Sequence, residues 1–145
     1  MASVRYVEFV LDGDAKRPFK KYPGDAGWDL FTSEECTIQP NETRDVHTGV
    51  RIQMPPYLFA RITGRSSSLR KRHLLVNEGI IDRGYTGELF ICVHNLGTEP
   101  VTIKKGDRVA QILFHFIEDV RWVEVDEIES INGERGVSGF GSTGR

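Results

Sequence analysis

The sequence holds 145 residues, 39% of them hydrophobic and 28% charged, with a formal net charge of −2. A chain of this size buries roughly 70% of its unfolded surface in one core, and the slightly acidic balance argues against a non-specific nucleic-acid binder, which needs a basic footprint. No apolar run approaches the ~20 residues that cross a bilayer, and residues 1–11 mix acid, base and apolar side chains, so they read as a first strand rather than a signal peptide.

Along the chain, apolar residues recur with a period of two, and no long stretch carries a helical period. Strands are expected over residues 4–11, 28–31, 36–38, 43–54, 58–63, 74–76, 88–96, 101–103, 109–117 and 121–125. Turn chemistry separates them: Pro23-Gly24-Asp25-Ala26-Gly27, Pro40-Asn41, Pro55-Pro56, Asn95-Leu96-Gly97 and Lys105-Gly106-Asp107. One helical turn is expected at 66–72, with Ser66 and Ser67 as N-caps. Many short strands without intervening helices make an all-β antiparallel sandwich or jelly roll. Residues 1–131 form one domain, and residues 132–145 form a Gly- and Ser-rich tail. The two cysteines, Cys36 and Cys92, make no disulfide framework, so a reducing, cytosol-type compartment is expected.

Four segments carry candidate chemistry, and each has a plainer reading beside it. Gly64-Arg65-Ser66-Ser67-Ser68 follows a strand and opens a helical turn, where free N–H groups and a guanidinium suit an anion. Its plainer reading is a capped turn with the solvated basic face Arg70-Lys71-Arg72-His73. Asp82 in Gly79-Ile80-Ile81-Asp82-Arg83-Gly84-Tyr85-Thr86-Gly87 is either a turn residue or, facing a pocket, a general base for water. Tyr85 is either core or a platform under a sugar. Gln111 interrupts the apolar run of residues 109–116, and a half-buried amide needs polar partners. The tail ends in Gly139-Phe140-Gly141-Ser142-Thr143-Gly144, a false GxGxxG match, because no helix can follow it. Its amides, hydroxyls, Arg135 and Phe140 nevertheless suit a nucleotide triphosphate. Glycine loses the most entropy on ordering, so the tail is expected to stay mobile until a ligand holds it. No Gly-Lys-Ser/Thr P-loop, HExxH zinc spacing or GxSxG elbow occurs.

In order, Ala26-Gly27-Trp28-Asp29-Leu30, Gly64–Ser68, Gly79–Asp82 with Tyr85 and Gly87, Gly106-Asp107-Arg108-Val109-Ala110-Gln111, and residues 135–144 resemble the five motifs of the homotrimeric dUTPase family. The resemblance implies a distorted jelly roll in which three subunits share three sites and the tail of one chain closes over a neighbour's site. It implies a magnesium-assisted dUTP pyrophosphatase in which Asp82 activates the water that attacks the α-phosphorus. Ser66 and Gln111 would hold the phosphates near the scissile bond, with Arg65 further out and Ser67 beside them. Tyr85 would pack under the deoxyribose and reject a 2′-hydroxyl. Gly79, Ile81 and Gly87, on a β-hairpin running from Gly79 to Gly87, would read uracil with backbone groups, with Asn77 near the place of an asparagine amide in some members. Arg135, Ser142 and Thr143 would bind the γ-phosphate, Gly141 would lie among them, and Phe140 would stack on uracil. Asp29 would act on Mg²⁺ through water, with no direct protein ligand.

The sequence departs from the common pattern at Ser67-Ser68, where many members carry a glycine, and at Trp28, which replaces a tyrosine as packing. A dCTP deaminase of the same fold is the nearest alternative. It is disfavoured because Cys92 stands where a proton-shuttling glutamate would be needed. A nucleotide-sensing protein-interaction module is the alternative from another class. No membrane and no nucleic-acid partner is expected.

Overall fold

The computed structural model describes residues 3–131 and 136–139. In chain order the elements are β1 (Glu8–Leu11), β2 (Trp28–Phe31), β3 (Cys36–Ile38), β4 (Thr43–Gln53), β5 (Leu58–Gly64), α1 (Ser66–Arg72), β6 (Leu74–Val76), β7 (Gly79–Ile81), β8 (Glu88–Asn95), β9 (Val101–Ile103) and β10 (Arg108–Phe116). One antiparallel sheet runs β1-β4-β8-β6, a second runs β2-β10-β5-β7, and β3 pairs with β9. The architecture is the expected jelly-roll-like, nearly all-β one.

Alternation along each strand builds the core. On β8 the inward positions Leu89, Ile91 and Val93 are fully buried, and on β5 Leu58, Ala60 and Ile62 meet them from the other sheet. Burying each large aliphatic side chain contributes about 1.5–3 kcal/mol. The polar exceptions are satisfied. Buried Asn95 donates through Nδ2 to the carbonyls of Ile38 (3.0 Å) and Glu99 (2.8 Å), and its Oδ1 accepts from Gly97 N–H (2.8 Å). Thr48 donates to Leu89 O at 2.6 Å and accepts from Val50 N–H, beside a register shift in β4. That irregularity turns on Gly49, at φ +67°, where a Cβ would lie 2.6 Å from Ala15 Cβ.

Four sequence expectations are corrected. The first strand begins at Glu8, not at residue 4. Residues 121–125 form no strand, and among the described residues nothing covers their apolar side chains; Trp122 is 98% exposed. The α1 N-cap is Arg65 in extended conformation, with no side-chain cap; neither Ser66 nor Ser67 caps the turn. Ser68 turns inward instead and donates to Val109 O at 2.6 Å, tying α1 to β10. Finally, residues 79–87 are not a laddered hairpin. β7 pairs with β5 while β8 pairs with β4 and β6, so the turn steps from one sheet to the other, closed by Tyr85 N–H to Asp82 O at 3.2 Å. Trp28 does serve as packing, edge-on to Phe114 at 5.5 Å. Both cysteines are free thiols. Among the described residues no helix is long and apolar enough to cross a membrane.

Candidate functional site

β10 lies between β2 and β5, and its register sets Gln111 opposite Asp29 on one side and Thr63 on the other. Gln111 Nε2 donates to Gly64 O at 3.1 Å, which supplies one of the partners its half-buried amide requires. An amide nitrogen carries two hydrogens, so one remains to meet a ligand oxygen. Gly27 clears the space for this amide. A Cβ there would sit 2.8 Å from Gln111 Oε1 and 3.1 Å from Ile112 O. The second obstacle is backbone, so rotating the glutamine alone does not relieve it.

The same strands collect charge. Asp29 Oδ1 meets Arg65 Nε at 3.0 Å, and Oδ2 meets Arg108 Nη1 at 3.3 Å; the Asp29 side chain is only 19% exposed. Arg65 also donates through Nη1 to Arg108 O at 2.9 Å. Two guanidiniums against one carboxylate leave an excess positive charge at the β5–α1 junction. Asp29 holds the arginine forks in place there, which suits a preorganised anion site. Ser66 is exposed beside Arg65, and Ser67 is half-buried.

Sequence reasoning assigned Arg108 no separate role. Only the strand pairing reveals it, since its partner Asp29 lies 79 residues away.

Asp82 and Tyr85 lie elsewhere. β7 runs antiparallel to β5 with Gly79 opposite Ile62 and Ile81 opposite Ala60, so Asp82 extends past Ala60, away from Gly64. Five residues of strand separate the two groups, roughly 16 Å at about 3.3 Å per residue. One chain thus brings Asp29, Arg65, Ser66 and Gln111 together and holds Asp82 and Tyr85 apart from them.

Asp82 is exposed after Ile81, and the Tyr85 phenol donates to Glu88 O at 2.7 Å. Asn77 is exposed and donates its backbone N–H to Cys92 O at 2.8 Å. The Cys92 thiol is pushed up by burial and then by the carboxylate of Asp45 across the strand pair, so it stays protonated near neutrality. Arg135, Phe140, Gly141, Ser142 and Thr143 lie outside the described residues.

Among the described residues no group of three His, Cys, Asp or Glu side chains is placed to hold a metal ion.

Comparison with known proteins supplies the remaining observations. The dUTPase family model matches residues 14–144. The deoxyuridine 5'-triphosphate nucleotidohydrolase of Clostridium kluyveri is 43% identical over 137 residues, covering 92% of this chain and 94% of that protein. The Staphylococcus bacteriophage 80alpha dUTPase, solved with dUpNHpp, superposes with a TM-score of 0.89 at 28% identity, covering 98% of this chain and all of that one (100%). A point mutant of the dUTPase from phage phi11 of S. aureus, described with a coordinated structural Mg(II) ion, gives 0.81 at 25% identity over 87% of this chain and 100% of its own.

Proposed function

This chain belongs to the dUTPase family, and on that premise we propose that it cleaves dUTP to dUMP and diphosphate at sites shared between three identical subunits. The observation that carries the shared-site reading is the separation just described. The anion-binding groups sit at one end of the β2-β10-β5-β7 sheet, and the acid and phenol sit at the other. A reaction that needs both at one triphosphate takes Asp82 from one subunit and Arg65, Ser66 and Gln111 from another.

In this reading Asp82 orients a water and accepts its proton as the water oxygen attacks the α-phosphorus. The bond to the bridging oxygen breaks in line, and diphosphate leaves. Gln111 and Ser66 hold phosphate oxygens near the scissile bond, and the Asp29-anchored Arg65 neutralises charge beyond it. Tyr85 lies under the deoxyribose, and the backbone of Gly79, Ile81 and Gly87, with Asn77 nearby, reads uracil. Arg135, Gly141, Ser142 and Thr143 of a neighbouring tail close on the γ-phosphate, with Phe140 over the base.

Magnesium fits as a cation carried in on the phosphates. Both Asp29 oxygens already face guanidiniums, so any contribution from Asp29 to the cation passes through water. When bound, the ion neutralises phosphate charge through hard oxygen ligands while keeping several waters.

The test is diphosphate release from dUTP, with dCTP, dTTP and UTP in parallel, with and without magnesium. Selective, magnesium-dependent dUTP cleavage is expected. Ammonia release from dCTP would instead identify a deaminase, and no turnover at all would favour a binding module.

Two further expectations arise here. Gly27→Ala crowds Gln111 and lowers kcat about tenfold or more, since sub-ångström misplacement of a positioning group costs this much. In a Gln111→Ala background the same change is expected to add a smaller loss, because only the Ile112 carbonyl and the Leu113 side chain then stand in its way. Equal losses in both backgrounds would show a purely structural role.

The second concerns assembly. Trp122 and Ile128 are 98% and 90% exposed, and an apolar groove of about 470 Å³, lined by Tyr6, Phe9, Trp28, Phe114 and Phe116, stands open. Apolar side chains left this open to water are candidates for burial between subunits. Trp122→Glu is expected to leave the far-ultraviolet circular dichroism intact and to shift sedimentation from trimer towards monomer, with activity lost in parallel. An active Trp122→Glu monomer would refute sharing of the site.

A further inference from the structure

Gly87 departs from the pattern of a turn glycine. Its φ lies outside the left-handed region, so φ does not demand a glycine there. The three atoms that a side chain would meet first all belong to Tyr85. A Cβ on Gly87 would lie 2.7 Å from Tyr85 Oη, 2.8 Å from Cζ and 3.1 Å from Cε2. Real Cβ atoms do not approach a phenol this closely, so a side chain at 87 must displace the ring.

The ring is also tied down from the other side. Tyr85 Oη donates to Glu88 O at 2.7 Å, and the turn is closed by Tyr85 N–H to Asp82 O at 3.2 Å. Glu88 opens β8, where Leu89 is fully buried, so the accepting carbonyl belongs to a rigid strand. Tyr85 itself remains 43% exposed, so the ring faces solvent on one side. The phenol is thus held by a hydrogen bond to Glu88 O in the space that the absent side chain at 87, two residues further along, leaves open.

We propose that Gly87 is a specificity-positioning residue: by leaving room for the Tyr85 phenol on the Glu88 carbonyl, it sets where the ring stands and thereby the rejection of a ribose 2′-hydroxyl. The inference rests on the dUTPase reading above, in which Tyr85 packs under the sugar. A ring held by a strand carbonyl cannot retreat from an added hydroxyl. A ring displaced by a methyl group at 87 loses the hydrogen bond, gains freedom and tolerates the larger sugar.

The experiment is the ratio of kcat/KM for dUTP to that for UTP, measured for the full chain with magnesium. Gly87→Ala is expected to lower this ratio about tenfold or more, the scale on which a poorly shaped pocket fails to reject one added hydroxyl. In a Tyr85→Ala background the same substitution is expected to leave the ratio within about twofold, since the ring it acts through is gone. A ratio unmoved by Gly87→Ala, or moved equally in both backgrounds, overturns the proposal.

Should Gly87→Ala give no folded protein by circular dichroism, Tyr85→Phe carries the test. Loss of the latch to Glu88 lowers the ratio about threefold or more, the worth of one ordinary hydrogen bond, and an unchanged ratio overturns the proposal. Wild-type turnover separates the two layers of the argument. A wild type that does not cleave dUTP refutes the functional reading, whereas one that cleaves dUTP while the variants keep its selectivity refutes only the role of Gly87.

Discussion

Asp82→Asn is expected to lower kcat for dUTP cleavage by about 10²–10⁴-fold, the contribution of a positioned general base, with KM little changed. The side chain is exposed at the end of β7, and its backbone carbonyl, not its carboxylate, closes the turn by accepting from Tyr85 N–H. Asparagine keeps the shape and leaves that backbone bond intact. Exposed substitutions away from packing or caps change stability by about 0.5 kcal/mol or less, so the thermal midpoint should be close to that of the wild type. What asparagine cannot do is accept a proton from water. The loss therefore falls on kcat and kcat/KM together, the signature of an interaction made in the transition state. A variant that retains kcat within about threefold, or whose defect is wholly in KM, would remove Asp82 from the chemistry and leave it a turn residue.

Much of this arrangement was legible in the sequence because its signals are local. Period-two alternation located the strands at residues 28–31, 36–38, 74–76 and 101–103 to the residue, and Gly, Pro and Asn placed the turns between them. Gln111 stood out as a polar break in an apolar strand, and its half-buried amide indeed bonds Gly64 O.

Apart from the start of the first strand, the misreadings are long-range. The family resemblance implied a hairpin over residues 79–87, yet β7 is captured by β5, with Ile81 and Gly79 in register against Ala60 and Ile62. Sequence spacing cannot distinguish these pairings. Serine at a helix start suggested caps, but Ser68 is claimed by the Val109 carbonyl on a strand 41 residues away. Arg108 passed unnoticed for the same reason, its partner Asp29 being set by the β2–β10 pairing. Residues 121–125 are apolar enough for a strand, but a strand needs a partner ladder, and none faces them among the described residues.

The separation between Asp82 and the Arg65 group makes a stronger prediction than any single substitution. Asp82→Asn and Arg65→Ala trimers should each be nearly inactive, the first lacking its base and the second a principal phosphate charge. Mixed by co-refolding at equal amounts, they should recover about a quarter of the wild-type rate. A site that takes Asp82 from one subunit and Arg65 from another is intact with a probability of about one half for each, hence about one quarter in a symmetric, randomly assembled ring.

Sites built within one chain would predict something different: each chain would carry one lesion in its own site, and mixing would restore nothing. The two outcomes differ by a large fraction of full activity, and neither depends on how much each residue contributes. The recovered activity should also retain the dUTP preference of the wild type, because the intact sites contain every group. Recovery near zero, with mixed trimers verified by mass, would place Asp82 and Arg65 of one chain in one site despite the roughly 16 Å of strand between them, and would require the β7 turn to swing across the sheet during turnover.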